Sequence, residues 1–349
     1  VGELPSAGIA NTLGSYYAGS SDYNFRTEAQ SFSATGGDTV FTLADSNSPT
    51  GYYKYHVFTS PGNLVAANPS VNAVNFSSML VAGGGSGGFG SAGGAGGGGG
   101  AGGVLKHTGP TLNFPAGTWV VTLGNGGTSA TSVSNNGENS SLVIAGVTSI
   151  TAYGGGKGGA TGEPGGSGGG STSNGAGAQR PGGSGISGQG NPGGTAPSPN
   201  TIIASVGGVI GGGGGGSASA GGNASYSGSG PYTAVTGSGG NASPNPEFTS
   251  TILAPRVSQI PATSWAAIGS GGQYGGGGSG GMFTPPQATT MTVGSAGAGG
   301  GSGSTNSSGT DAQAFTGSGG GGSGSSTGGG GHGGDGGPGV FMVRYASPN

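Results

Sequence analysis

The chain has 349 residues, of which 96 are glycine, 5% are charged and none is cysteine, and its net charge is −3. So few basic residues argue against a nucleic-acid surface, which needs clustered Lys and Arg, and the lack of cysteine excludes disulfides and thiol chemistry. No apolar run reaches the roughly 18 residues of a membrane span, and residues 1–10 lack the basic start and apolar core of a signal peptide, so neither membrane insertion nor secretion is expected.

Residues 1–50 have an ordinary composition with several aromatic and charged side chains, and we interpret them as an attachment or capping segment. From Tyr52 onward the sequence alternates as half-buried strands do. Strands are predicted at residues 53–58, 74–81, 104–107, 118–123, 142–145, 149–153 and 340–345. Residues 124–127, Gly-Asn-Gly-Gly, are typical of a turn that closes the strand before them.

Residues 83–103 follow a period of three. One row of every third residue, from Gly84 to Gly102, is all glycine, and the next row is glycine apart from one serine. The side chains fall on the third row, which holds Ser86, Phe89, Ala92, Ala95 and Ala101. Three residues per turn is the repeat of the polyproline-II helix. The tract therefore predicts an ordered glycine helix with two bare faces, and we expect Phe89 to point out of the glycine lattice.

Similar rows occur at residues 156–168, 182–188, 269–281, 294–303 and 328–339. Such helices have no internal hydrogen bonds, and buried backbone groups must be paired, so we expect them to pack side by side. A Cβ in that lattice would hold the backbones apart. The glycines predicted to pack in this way are Gly84, Gly87, Gly90, Gly93, Gly96, Gly99, Gly102, Gly330, Gly333, Gly336 and Gly339.

The predicted fold is mainly β plus irregular: a small β-sandwich continuous with a bundle of packed polyglycine-II helices, and essentially no α-helix. Residues 1–50 form the attachment segment, residues 51–153 the β-rich part with the first glycine helix at 83–103, and residues 154–349 the remaining bundle. The bulkier segments between glycine tracts, such as 244–265, are expected to be loops or short strands.

No pattern of residues supports catalysis, so no enzyme, cofactor or metal site is expected. His56, His107 and His332 are far apart in sequence and without acidic clusters, and we interpret them as solvated side chains. Aromatic residues on rigid loops give contact area at low entropy cost. The candidates for contact with a receptor are Tyr226, Tyr232, Trp265, Tyr274 and Phe283, with Arg180 and Arg256 as further ones. The alternative is that these aromatics cover ends of glycine helices or pack on their neighbours.

The order of segments resembles that of glycine-rich bacteriophage virion proteins. It is carried by YKYHVFTSPGNL (53–64), SSMLVAGGGSGG (77–88) and the ending GGDGGPGVFMVRY (333–345). The predicted layer of glycine helices is similar to that of the receptor-binding adhesins at the tips of long tail fibres of some T-even phages, although residues 1–50 and the β-rich part are not obviously shared with those adhesins.

The resemblance implies a virion structural appendage protein, of tail-fibre or tail-tip type, that presents loops to a host surface receptor, either protein or glycan. It also implies contact with other virion proteins through residues 1–50, and a homo-oligomer in the virion. The alternatives are a non-adhesive structural or decoration subunit of the virion, an ice-binding polyproline-II bundle, and a secreted silk-like or surface-layer protein.

Overall fold

The computed structural model describes residues 32–68, 76–90, 94–108, 115–130, 132–144, 149–173, 179–197, 209–228, 233–283, 290–325 and 331–347. In chain order its strands are β1 (Ala34–Thr35), β2 (Thr39–Ala44), β3 (Tyr52–Phe58), β4 (Gly62–Ala66), β5 (Ser77–Val81), β6 (Val104–Thr108), β7 (Gly117–Thr122), β8 (Ser129–Ala130), β9 (Val133–Ser134), β10 (Ser140–Ile144), β11 (Ile150–Ala152), β12 (Val209–Ile210), β13 (Ser225–Ser227), β14 (Thr233–Val235), β15 (Ser243–Pro244), β16 (Gln273–Tyr274), β17 (Met282–Phe283), β18 (Thr290–Thr292) and β19 (Val340–Ala346). Two short helices are α1 (Ser250–Leu253) and α2 (Ala262–Ile268). The prediction of a mainly β fold with essentially no α-helix is confirmed.

Two antiparallel five-stranded sheets form the sandwich. The first sheet has the order β1-β4-β7-β10-β11, and the second has the order β2-β3-β19-β5-β6. The strands predicted at residues 53–58, 118–123 and 340–345 are confirmed as β3, β7 and β19. Because β19 pairs with both β3 and β5, the C-terminal strand lies at the centre of the second sheet.

The second sheet is buried on both faces, and β19 shows how. Phe341, Val343 and Tyr345 belong to the core between the sheets, together with Trp119 of β7. The alternate residues Val340 and Met342 belong to a separate apolar cluster on the opposite face. Successive side chains of a strand point to opposite faces, so a strand buried on both sides is apolar throughout, as β19 is apart from Arg344.

The outer face of the second sheet is covered by α1, α2 and the chain around them. The expectation of loops or short strands at residues 244–265 is therefore wrong in part. Thr249 caps α1, its hydroxyl accepting a hydrogen bond from Ile252 N at 3.4 Å. Trp265 and Ile268 of α2 lie three residues apart and are both buried in the outer cluster. Helices of four and seven residues give too short a periodic signal to be recognised in sequence.

The first glycine tract is a hairpin of two helices, and the prediction of one continuous helix over residues 83–103 is wrong. We name residues 82–90 the first glycine helix and residues 95–103 the second. Backbone N–H groups of Ala82, Gly85 and Gly88 donate to carbonyls of the second helix at 3.1, 2.8 and 2.7 Å. The acceptors are Gly103, Gly100 and Gly97 in that order, so the two helices run antiparallel and bond at every third residue.

The second glycine helix is the centre of the glycine layer, and each of its residues is buried. Its N–H groups donate, at intervals of three residues, to three neighbours: residues 317–323, 212–215 and 153–156. Its carbonyls accept from three others, which are residues 82–88, 278–281 and 167–170. This hexagonal arrangement is what the three-residue repeat requires, since each row of the helix faces its own pair of neighbours.

Residues 124–127 belong to the same layer, so the turn predicted there is wrong. Gly127 N donates to Gly84 O at 2.8 Å, and Gly339 N donates to Gly124 O at 2.9 Å. The chain reverses later, between β8 and β9. Glycine and asparagine are as suited to a lattice helix as to a turn when neighbouring backbones supply the hydrogen bonds.

The predicted end of the attachment segment, at residue 50, lies within the folded unit that contains the sandwich. Residues 1–31 lie outside the described residues, and Phe32–Asn349 is one compact unit. Residues 32–50 belong to this unit, because β1 pairs with β4 and β2 pairs with β3. The β-rich part and the glycine bundle fall in this one unit as well.

Candidate binding site at the distal end of the glycine layer

The glycine helices run away from the sandwich and back to it. The first glycine helix follows directly on β5, and the second leads directly into β6. Their far ends lie beside the ends of other glycine segments, as shown by the backbone bridges between Gly90 and Gly331 and between Ala95 and Gly324. We call this end of the layer, opposite the sandwich, the distal end.

An open cleft of about 650 Å³ lies at the distal end. Phe89, Val209 and Ala95 form apolar parts of its lining, and Lys157, Glu163 and Arg180 are its charged residues. Hydroxyl groups complete it, from Ser132, Ser134, Thr161, Thr172 and Ser173. Its size falls in the range of about 300–1,000 Å³ that is typical of small-molecule sites.

The backbone fixes the charged residues of the cleft. Lys157 N donates to Asn136 Oδ1 at 2.9 Å, and Lys157 O accepts from Glu163 N at 3.2 Å. Arg180 O accepts from Ala196 N at 3.3 Å. Lys157, Glu163 and Arg180 are all half-buried. In the part of the chain that the structure describes, none of the three forms an ion pair; the pair that is present joins Arg344 and Glu247 at the sandwich.

Sequence reasoning proposed Arg180 as a contact residue but missed the cleft and Lys157. The available signal was that charged side chains are scarce, 5% of the chain, and that Lys157 and Glu163 interrupt glycine tracts. Phe89 is half-buried and lines the cleft, in agreement with the expectation that its ring leaves the lattice. The other described members of its row, Ser86, Ala95 and Ala101, are buried, and Ser86 donates to Asn135 O at 3.1 Å.

Two of the predicted receptor-contact residues, Tyr226 on β13 and Phe283 on β17, lie in small sheets that follow the glycine helices. Tyr226 packs on a cluster that includes Ile210 and Met282, which pair with each other between β12 and β17. Both aromatic side chains are half-buried. Burial raises the pKa of the Tyr226 hydroxyl, which stays protonated. Tyr232 lies outside the described residues.

Trp265 and Tyr274 are core residues at the sandwich, and their assignment as receptor contacts is corrected. Both belong to the cluster on the outer face of the second sheet. Tyr274 is 0% exposed, and its hydroxyl donates to Phe248 O at 2.9 Å. This corresponds to the alternative that the aromatics pack on their neighbours. Arg256 is exposed and lies over the Phe41 ring, also beside the sandwich.

The predicted packing glycines lie against neighbouring backbone. A Cβ built on any of those that are described would come within 3.0 Å of a backbone atom, the widest separation being 2.8 Å at Gly90. These glycines are Gly84, Gly87, Gly90, Gly96, Gly99, Gly102, Gly333, Gly336 and Gly339. Gly93 and Gly330 lie outside the described residues.

Comparison with known families identifies one domain type. A family model described as a glycine-rich domain matches residues 59–346. The chain belongs to this glycine-rich domain family. No curated protein matches the chain. The family match covers the sandwich from the end of β3 through the glycine layer to β19, so the two parts form one domain type.

His56 is not the solvated side chain that the sequence predicted. It is fully buried, its Nδ1 lies 2.6 Å from Gly36 O, and its Nε2 lies 3.1 Å from Tyr345 Oη. Burial lowers the pKa of His56, so the ring is neutral and Nδ1 carries the proton donated to Gly36 O. Within the described ranges there is no group of three potential metal ligands, and no helix has the length and apolar character to cross a bilayer.

Proposed function

We propose that this protein is a structural appendage protein of a bacteriophage virion, of tail-fibre or tail-tip type, that presents the distal end of its glycine layer to a host surface receptor. The observation that carries this proposal is the placement of an open, charged cleft at the far end of a layer whose interior is hydrogen-bonded backbone. The resemblance of its segment order to glycine-rich phage virion proteins supports the same function.

The layer suits presentation because its packing is independent of the connecting segments. In the second glycine helix, N–H and carbonyl groups bond to six neighbours, and Ala95 and Ala101 supply its side chains. Connections at the distal end can therefore change in sequence while the lattice that holds them is unchanged. Recognition residues are commonly carried on loops placed by a rigid scaffold in this way.

The other parts of the proposal concern assembly. Residues 1–50 would contact other virion proteins, and repetition by symmetry would make the chain a homo-oligomer in the virion. Since residues 32–50 supply β1 and β2 to the sandwich, we assign the proposed contact with a neighbouring protein to residues 1–31.

The test is binding of the purified, fluorescently labelled protein to a panel of bacterial strains, measured by flow cytometry. We expect saturable binding to some strains. Replacement of residues 225–227 and 290–292 at the distal end should reduce it by tenfold or more, whereas Arg256→Gln beside the sandwich should leave it unchanged. Binding that survives the distal replacements would count against the distal end as the surface that contacts the receptor, and no binding to any strain would count against the receptor-binding function.

A non-adhesive virion subunit is a second candidate, because the outer face of the first sheet carries exposed valine side chains. Val65, Val120 and Val143 on this face are 42%, 49% and 40% exposed. Val120 and Val143 are directly opposed across β7 and β10, so the patch is contiguous, as subunit contacts often are. A map of an assembled virion with the distal cleft buried against a neighbouring subunit would favour this candidate over the adhesin.

A further inference from the structure

We infer that the distal cleft is a binding site for an acidic oligosaccharide, with the Lys157 ammonium and the Arg180 guanidinium binding a sugar carboxylate. The inference deepens the proposed function and rests on it for the origin of the ligand, which would be a charged polysaccharide of the bacterial surface. The assignment of the ligand class comes from the charges, the hydroxyl groups and the apolar surface of the cleft.

The charge of the cleft favours an anion. Lys157 and Arg180 contribute two positive charges and Glu163 one negative charge, which leaves a surplus of one positive charge in a lining of otherwise neutral residues. Neither cation is paired within the described part of the chain. In a protein with only seven Lys and Arg residues, two cations in one cleft are a notable concentration. Arginine and lysine bind carboxylates through charge-assisted hydrogen bonds.

The remaining lining favours a saccharide over a simple anion. The hydroxyl groups of Ser134, Thr172 and Ser173 donate to backbone carbonyls and can accept from sugar hydroxyls. Those of Ser132 and Thr161, which also line the cleft, can donate as well as accept. The Glu163 carboxylate is an acceptor only, so it suits sugar O–H groups and repels a second anion. Phe89 offers a flat apolar surface to the C–H face of a pyranose ring.

The site is preorganised by the glycine lattice. Lys157 lies between Gly156 and Gly158, whose N–H groups donate to Ser167 O and Ser86 O at 2.9 Å each. Arg180 lies on a segment bridged to Ala196. Backbone that is fixed before binding loses little entropy on binding, so even a few polar contacts can give a specific complex.

The experiment is calorimetric titration of the full chain with three probes: trigalacturonate, the neutral trisaccharide maltotriose, and inorganic phosphate. We expect trigalacturonate to bind at least tenfold more tightly than either of the other two, and more weakly as salt concentration rises. Lys157→Met and Arg180→Gln should each weaken it by about tenfold or more. Arg256→Gln removes an exposed cation beside the sandwich and should have no effect.

Three results would overturn the inference: no binding of trigalacturonate, equal binding of maltotriose or phosphate, or affinity unchanged in Lys157→Met and Arg180→Gln. Circular dichroism of each variant establishes that it folds. The same variants separate the inference from the proposed function. Cell binding that is unaffected by both substitutions would refute the cleft as receptor site and leave the adhesin function standing. Trigalacturonate binding without binding to any cell would refute the adhesin function and leave the cleft chemistry standing.

Discussion

Substitution of Gly99 by alanine tests the claim that the glycine layer is held by direct backbone contact. Gly99 is at the middle of the second glycine helix, where its N–H donates to Gly320 O and its carbonyl accepts from Gly278 N. A Cβ at this position would lie 2.1 Å from Gly85 O and 2.7 Å from Ser86 O, both on the first glycine helix. The backbone torsion at Gly99 is one that alanine can adopt, so the clash is the only local obstacle.

The expected loss of stability follows from the shift of the first glycine helix that a methyl group at residue 99 requires. Separations under 3.0 Å are essentially never seen for a real Cβ, so the first glycine helix would have to shift by about 0.9 Å at Gly85. That shift breaks or stretches the three hydrogen bonds that join the two helices, each contributing about 1 kcal/mol. Overpacking strain adds about 1–3 kcal/mol, and the lower entropy of the unfolded alanine chain returns about 0.4–1 kcal/mol. We expect Gly99→Ala to lower the free energy of unfolding by about 3–6 kcal/mol.

Urea unfolding monitored by tryptophan fluorescence measures this change, since Trp119 and Trp265 are both buried. Gly271→Ala is the matched control, because the nearest atom to its Cβ is the mobile end of the Gln273 side chain at 3.1 Å. We expect a change within about 1 kcal/mol there. If Gly99→Ala unfolded at the same urea concentration as Gly271→Ala, direct backbone packing would not be what stabilises the layer.

Three further predictions concern polar side chains that form hydrogen bonds in the fold. Burial lowers the pKa of His56 from 6.5, so the free energy of unfolding should be highest above about pH 6.5 and should decrease as the pH falls below it, because only the unfolded chain then binds the proton readily. Urea midpoints measured from about pH 8 to about pH 5 should depend less on pH in His56→Gln than in the unmodified protein. An unchanged pH dependence would contradict the assignment. Tyr274→Phe leaves Phe248 O without its buried donor and should lower the free energy of unfolding by about 1–3 kcal/mol in thermal or urea unfolding. Tyr153→Phe, at an exposed position, should change the free energy of unfolding by less than about 0.5 kcal/mol. Equal effects of the two substitutions would refute the role of the hydrogen bond. Burial opposes the ionisation of Asp38, but four hydrogen bonds from the turn after β3 outweigh it and lower the pKa of Asp38 below 3.8. The contribution of Asp38 to the free energy of unfolding should therefore be present above about pH 4 and be lost on further acidification. In urea unfolding, Asp38→Asn should destabilise the protein at about pH 7 and make little difference at about pH 2.

The strands could be predicted from sequence where alternation was long enough to read. β3 and β19 are seven residues each, and their apolar residues divide between two faces. β1, β2 and β4 were missed. The first two lie within residues 1–50, which were interpreted as an attachment segment, and β4 begins at a glycine directly after the turn that follows β3. The two helices were missed because four and seven residues give little periodicity, and their role as the outer cover of the second sheet depends on contacts that are remote in sequence.

The glycine rows could be predicted, but the fold of the tract could not. A period of three continues unchanged through residues 83–103, although the chain reverses between Gly90 and Ala95. Glycine is equally compatible with a helix and with a reversal, so the sequence carries no signal for where one helix ends. Only the pairing of Gly85 with Gly100 and of Gly88 with Gly97 distinguishes a hairpin from a single long helix.

The candidate site could not be predicted from the sequence for a related reason. Phe89, Lys157 and Arg180 belong to three different segments of the chain, and the packing of the glycine layer, not any motif, brings them to one cleft. Each row of the second glycine helix hydrogen-bonds to its own neighbours, so the interior accommodates small side chains such as that of Ala101, and a large side chain fits only where a row has no further neighbour. That condition is met at the ends of the layer. A lattice that excludes large side chains from its interior therefore leaves room for Phe89, Lys157 and Arg180 at its distal end, where they line one cleft.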